Sequence, residues 1–267
     1  MASNNAIQDK KKASVLATMV AMRGASPVVV LVLVASVLAP GAMSAKFVFT
    51  NNCHEVLYPG VLTPATAQAF PTTGFELQPG ASAAYDGVPD NWSGNIWARR
   101  LCSTDASGRF SCESGDCGTG RVECDGRGNG PPSTLSEFTL RGGSARDTDF
   151  YDISNVDGFN VPVQVAPSGA GCSAVACAAD IDASCPAELA VKGAGGAVVG
   201  CKSGCLAFGR DDLCCRGAYG TPDKCPPSQY SKFFKDKCPQ AYSYAYDDKS
   251  STFTCTSGAS YQITFCP

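Results

Sequence analysis

Beyond residue 45 the chain runs in short apolar stretches separated by Gly, Pro, Asn and Asp, and within several stretches apolar and polar residues alternate one by one. Alternation with period two sends successive side chains to opposite faces of a strand, and the punctuating residues are those that turns require. Residues 46–50 and 260–265 read as the first and last strands. In residues 134–140, Phe138 and Leu140 share one face while Leu135, Glu137 and Thr139 share the other. In residues 160–165, Val161, Val163 and Val165 alternate with Asn160, Pro162 and Gln164, so one face is expected to be buried and the other wet. The pattern predicts a mainly β chain arranged as a sandwich.

Helical periodicity surfaces clearly once. After Ser228, a candidate N-cap, Tyr230, Phe233, Phe234 and Cys238 fall at i, i+3, i+4 and i+8, and Pro239 stops the run. Cys238 lies on the aromatic face, so a disulfide there would pin the helix by its buried side. A shorter helix is expected over residues 186–192, with Ser184 near its start. Residues 102–124 are glycine-rich and polar, with four cysteines in 23 residues, which suits a loop stapled by local bridges better than a packed element. Cysteine density rises again between residues 172 and 238, where Cys214 and Cys215 are adjacent; side chains of neighbours point apart, so these two call for separate partners.

The chain has 16 cysteines in 267 residues, none of them in the first 52 positions. Such a set persists as disulfides only in an oxidising compartment. Zinc usually needs C-x2-C spacing completed by histidine; no C-x2-C occurs and the only histidine is His54, so no metal is expected. Lys10, Lys11 and Lys12 precede an apolar run over residues 28–39 broken only by Ser36, and Ala42-Met43-Ser44 supplies small residues for cleavage. This reads as a signal peptide over residues 1–44, with cleavage after Ala45 as the alternative. The run is shorter than the roughly 20 apolar residues of a spanning helix and no second one follows, so stable membrane insertion is not expected. Residues 45–267 carry 17 Lys+Arg against 23 Asp+Glu, a net charge of −6. With no basic stripe to neutralise phosphates, nucleic acid is not an expected partner.

A lone histidine beside Cys53 leaves Ser-His-Asp and Cys-His chemistry without a base, and neither G-x-S-x-G nor a phosphate-binding Gly-rich loop is present. No cofactor is expected. An enzyme built from these residues would have to work with carboxylates, which points to glycoside hydrolysis, where one acid protonates the leaving oxygen and a second acts as base or nucleophile. Trp92, Trp97, Tyr151 and Phe159 flank the acidic motifs and could stack on sugar rings, but core packing is the expected role for most of them.

Gly108-Arg-Phe-Ser-Cys112-Glu-Ser-Gly-Asp-Cys117-Gly-Thr-Gly-Arg-Val-Glu-Cys124 resembles the signature of the thaumatin-like family of plant defence proteins, pathogenesis-related family 5. The segments Phe150-Tyr-Asp-Ile-Ser-Asn-Val-Asp-Gly-Phe-Asn160, Ser231-Lys-Phe-Phe234, Pro239-Gln-Ala-Tyr-Ser-Tyr244 and the final Cys266-Pro267 match as well; Ser114 stands where the signature usually has Thr. Spacing alone leaves about two million pairings open for sixteen cysteines. The resemblance implies Cys53–Cys266, Cys102–Cys112, Cys117–Cys124, Cys172–Cys255, Cys177–Cys238, Cys185–Cys201, Cys205–Cys214 and Cys215–Cys225. It also implies a thaumatin-like domain over residues 45–267, with about eleven strands in a sandwich core (45–100, 135–175, 240–267). A small loop domain (101–134) and a disulfide-rich loop-and-helix subdomain (176–239) complete it, and a cleft lies between the sandwich and that disulfide-rich subdomain.

Relatives line that cleft with one Arg, one Glu and three Asp. By motif the Glu corresponds to Glu137, two Asp to Asp152 and Asp157, and the third to Asp248, favoured over Asp247. The Arg is absent: Asn95 stands in its place. Asn can hydrogen-bond but cannot neutralise, so a more negative cleft is expected, with at least one carboxyl raised in pKa by its neighbours. The implied function is that of a secreted, monomeric, antifungal protein of the apoplast. It would bind β-1,3-glucan or another fungal wall polysaccharide. The alternatives are a weak endo-β-1,3-glucanase with Glu137 and Asp152 as catalytic pair, or an inhibitor of pathogen or insect hydrolases. Apoplastic location is expected from the acidic charge and from a chain that stops at Cys266-Pro267, without the extension vacuolar relatives often carry. Asn91-Trp92-Ser93 is an N-glycosylation sequon on an expected loop.

Overall fold

The computed structural model describes residues 44–142, 146–169 and 171–267. The expected leader lies outside the described residues except for Ser44, which opens the first strand. The described chain is mainly β, with two sheets facing one core. One sheet has five strands in the order β3 (Ser82–Pro89), β1 (Ser44–Asn51), β13 (Tyr261–Phe265), β8 (Val163–Pro167), β9 (Val175–Cys177). The other has six: β12 (Phe253–Thr256), β7 (Thr148–Ser154), β6 (Leu135–Gly142), β4 (Ser93–Thr104), β2 (Tyr58–Leu62), with β5 (Phe110–Ser114) paired to the far half of β4. The first and last strands, β1 and β13, lie side by side and parallel, with Phe47 opposite Tyr261 and Phe49 opposite Ile263. All other neighbours in the two sheets run antiparallel.

Alternation explains which side chains meet between the sheets. Phe47 and Phe49 from β1, Ile96 from β4, Phe138 and Leu140 from β6, Tyr151 and Ile153 from β7, and Val163 and Val165 from β8 are all buried in one cluster. Phe47 sits at its centre, with the rings of Phe70, Trp92, Phe138 and Tyr261 5.1–5.6 Å away, three of the four edge-on as ring quadrupoles prefer.

The four expected strands exist, one of them displaced. Residues 160–165 were expected to form a strand with Asn160 on its wet face; pairing instead begins at Val163, and Asn160 is fully buried. Its amide donates to the Ala98 carbonyl (2.9 Å) and Ser114 Oγ (3.0 Å) and accepts from the Thr134 amide (3.1 Å), tying the segment that leads into β8 to β4 and β5. A buried amide so satisfied carries little penalty, and period-two patterning has no means of marking it. The helix after Ser228 forms as Gln229–Lys237 (α3, after α1 Gly204–Phe208 and α2 Asp211–Cys214). Ser228 Oγ accepts the Ser231 amide, Phe234 is buried, and Cys238 ends the helix.

Two local expectations are corrected. Residues 186–192 are not a helix: one turn closes between Pro186 and Ala190, after which β10 (Ala190–Lys192) pairs with β11 (Val198–Cys201). Cys185 bonded to Cys201 and buried Leu189 favour the hairpin, whose backbone groups pair across the ladder. Ser184 belongs to a short 3-10 turn, Asp182–Ser184, and caps nothing. Residues 102–124 are more than a stapled loop, because Cys102 and Cys112 face each other across the β4–β5 ladder. Arg99 anchors the rest of that segment. Its fully buried guanidinium donates to the carbonyls of Tyr58 (2.9 Å) and Val122 (2.6 Å) and lies 5.5 Å from the Phe110 ring centre.

All sixteen cysteines are paired, in the eight disulfides that the resemblance implied. Cys53–Cys266 closes 213 residues, whereas Cys205–Cys214 closes nine. Loop-closure entropy makes the first bond worth about 5 kcal/mol and the second about 3 kcal/mol. Replacing Cys53 and Cys266 together by Ala should therefore cost more stability in guanidinium unfolding than replacing Cys205 and Cys214; the reverse ranking would contradict the entropic account.

Candidate functional site

The outer face of the six-stranded sheet is covered over half its length. Trp97 from β4 and Leu135 from β6 are buried there with Cys117 and Cys124, under the loop that Arg99 anchors. The other half is open, and strand register writes its surface. Asn95 on β4 pairs with Glu137 on β6, which pairs with Asp152 on β7, giving a transverse row of one amide and two carboxyls. Two residues along, Ser93, Thr139 and Phe150 form a second row. Together they line an open groove of about 260 Å³.

The remaining expected acids lie outside the strands, Asp157 in a turn and Asp248 at the start of a short helix (α4, Asp248–Ser251). Asp157 sits in the turn of residues 155–158, closed by the Gly158 amide bonding the Asn155 carbonyl at 2.9 Å. Gly158 is required there, since its φ is +81° and a Cβ would stand 2.5 Å from the Cys201 carbonyl oxygen. Asp157 acts on Glu137 through its charge, and Asp248 acts on Asp152. Asp248 is the exposed member of its pair and accepts from the Tyr242 hydroxyl at 2.9 Å. Asp247 turns the other way. It accepts from the Ser243 amide (3.0 Å) and hydroxyl (2.8 Å) and pairs with Lys235 (2.8 Å), so it braces the loop that presents Asp248.

The electrostatics follow from burial without a cation. Burial, the charge and hydrogen bond of Glu137, and the charge of Asp248 push the Asp152 carboxyl up to about 8. Burial and the charge of Asp157 raise Glu137 as well, while hydrogen bonds from Asp152 and Ser154 act in the opposite direction. Each carboxyl shifts the other, so the two titrate as one coupled pair. With its amide turned so that the nitrogen faces acceptors, Asn95 donates to Glu137 Oε1 at 3.2 Å. It orients that carboxylate as a neutral donor.

The aromatic residues that flank the acidic motifs serve the core, the role expected for most of them. Trp92, Trp97, Tyr151 and Phe159 are all buried in the core clusters. The platform that lines the groove is Phe150, half-exposed beside Thr139 and Asp152. Parity along β7 carries the signal for it: Phe150 and Asp152 share a face that Tyr151 does not. Among the described residues no cluster of His, Cys, Asp and Glu could hold a metal ion, and no helix is long and apolar enough to cross a membrane.

Fold and groove together define a disulfide-framed β-sandwich that displays a partly desolvated carboxyl row on one sheet face. Residues 51–267 match the Thaumatin family, and the chain belongs to it. It is similar to "Thaumatin-like protein 1" of Pyrus pyrifolia, 53% identical over 229 residues that span 85% of this chain and 93% of the relative. It is also similar to "Glucan endo-1,3-beta-glucosidase" of Prunus avium, 49% identical over 243 residues, 90% of this chain and 98% of the relative.

The raised carboxyl has a consequence for stability. An acid whose folded pKa exceeds its unfolded one stabilises the fold below the unfolded value, and that contribution is lost as pH rises through the folded one. For Asp152 the window runs from about 4 to about 8. Asp152→Asn should flatten the fall in unfolding free energy across this window, measured by denaturant titration at successive pH values. An unchanged slope would place the titration in other groups.

Proposed function

We propose that the protein is a secreted, antifungal carbohydrate-binding defence protein whose groove takes β-1,3-glucan of fungal walls. The observation that carries this reading is the groove's composition: a hydrogen-bonding row of Asn95, Glu137 and Asp152 beside Ser93, Thr139 and the exposed Phe150 face. Sugar rings offer hydroxyls to the first and an apolar face to the second. Binding is favoured over cleavage by the carboxyl pair itself. Hydrolytic pairs stand about 5–5.5 Å apart when one acts as nucleophile and about 6.5–9.5 Å when a water must fit between them. Glu137 and Asp152 are direct register partners on one sheet face, side by side in the groove floor and not on opposite walls of it, so they do not flank a bound glycosidic bond.

A second reading, weak endo-β-1,3-glucanase activity, draws support from the name of the Prunus avium relative. Asp152, protonated at neutral pH, has the state a general acid needs. In that case a ligand parts the pair, and Glu137 becomes base or nucleophile.

Secreted, oxidised protein should be retained on insoluble β-1,3-glucan without releasing reducing ends. Phe150→Ala should weaken retention about fivefold, the loss of one aromatic contact. Release of reducing ends that Glu137→Gln abolishes would replace the binding reading with the hydrolase. No retention and no release would reject both.

A further inference from the structure

The sequon Asn91-Trp92-Ser93 falls where the groove opens. Ser93 is part of the groove wall, one residue pair along β4 from Asn95. Trp92 turns the opposite way, fully buried, with Nε1 donating to Thr63 Oγ1 at 2.8 Å. Asn91 is exposed in the turn between β3 and β4. That turn is fixed at both ends: the Trp92 amide bonds the Pro89 carbonyl at 2.9 Å, and Asp90 pairs with Arg141 of β6 at 2.6 Å. Four residues separate Asn91 from Asn95, so no more than about 14 Å of chain lies between them. The opposite end of the sheet face is shut by Trp97 and Leu135. Asn91 therefore stands at the uncovered end of the groove.

We propose that Asn91 carries an N-linked glycan, and that this glycan screens the open end of the groove against long polysaccharide chains while leaving short ones free to enter. The donor is a lipid-pyrophosphate-linked oligosaccharide, available to any chain that crosses into an oxidising secretory compartment, as the eight disulfides require. A bond forms from Asn91 Nδ2 to the anomeric carbon, and that carbon's bond to phosphate breaks. The lipid pyrophosphate leaves, and the amide proton passes to a base of the transferase. Trp92 does not obstruct the product, because its ring faces the core and the glycan faces solvent.

The attachment is independent of the glucan reading; the screening rests on it. Full-length protein secreted from plant cells is digested, and the peptide containing Asn91 is weighed before and after peptide-N-glycosidase. A hexose-bearing mass that disappears on treatment, and is absent in Asn91→Gln, is expected; unmodified Asn91 in secreted, fully disulfide-bonded protein overturns the assignment. Retention on insoluble β-1,3-glucan should then rise at least threefold when the native glycoprotein is enzymatically trimmed, with binding of a short soluble β-1,3-linked oligosaccharide unchanged. Equal retention overturns the screening. Loss of binding by both forms to both ligands overturns screening and the glucan reading together, while the mass still decides the attachment.

Discussion

The first and last of the described strands are held against each other at the middle of one sheet. Parallel pairing of β1 with β13 sets Phe47 and Phe49 beside Tyr261 and Ile263, and Cys53–Cys266 locks the junction just beyond. Phe47 contributes the central ring of the core. Every strand that carries a groove residue packs its inner face on that cluster. If β1 and β13 separate, the five-stranded sheet loses its centre, and the six-stranded sheet has nothing to bury against.

A rigid sheet matters because the groove is a product of register. No single segment holds Asn95, Glu137 and Asp152 together; three neighbouring strands do, each contributing one outward position. A slip of one residue in β6 would send Glu137 into the core and Phe138 into the groove. Fixed backbones also prevent the carboxyls from drifting apart to relieve their repulsion. Burial and neighbouring negative charge raise both carboxyls instead, and the neutral Asn95 donor brings no positive charge to oppose that shift. The segment around Asp247 shows a similar division of labour: Asp247 is consumed in bracing, which leaves Asp248 exposed.

Much of this was legible before any coordinates. Period-two alternation located β1, β6 and β13, helical spacing located α3, and the family motifs implied the sulfur pairs. What patterning missed shares one cause: the deciding partner lies far away in sequence. Asn160 is buried because Ala98, Ser114 and Thr134 converge on it. Residues 190–192 extend because Val198–Cys201 is there to pair with them. Composition alone gives Phe150 and Tyr151 equal claims to a sugar; the sheet exposes one face and buries the other.

The central claim is that a cross-linked sheet holds Glu137 and Asp152 as one coupled pair that keeps a proton at neutral pH. Carboxyl-carbon NMR titration of the oxidised protein, assigned with Asp152→Asn and Glu137→Gln, measures this directly. The account predicts that one of the two carboxyls stays protonated through neutral pH and that its titration moves down when the other is replaced by its amide. Two independent ionisations in the ordinary carboxylate range, each indifferent to the other substitution, would contradict it.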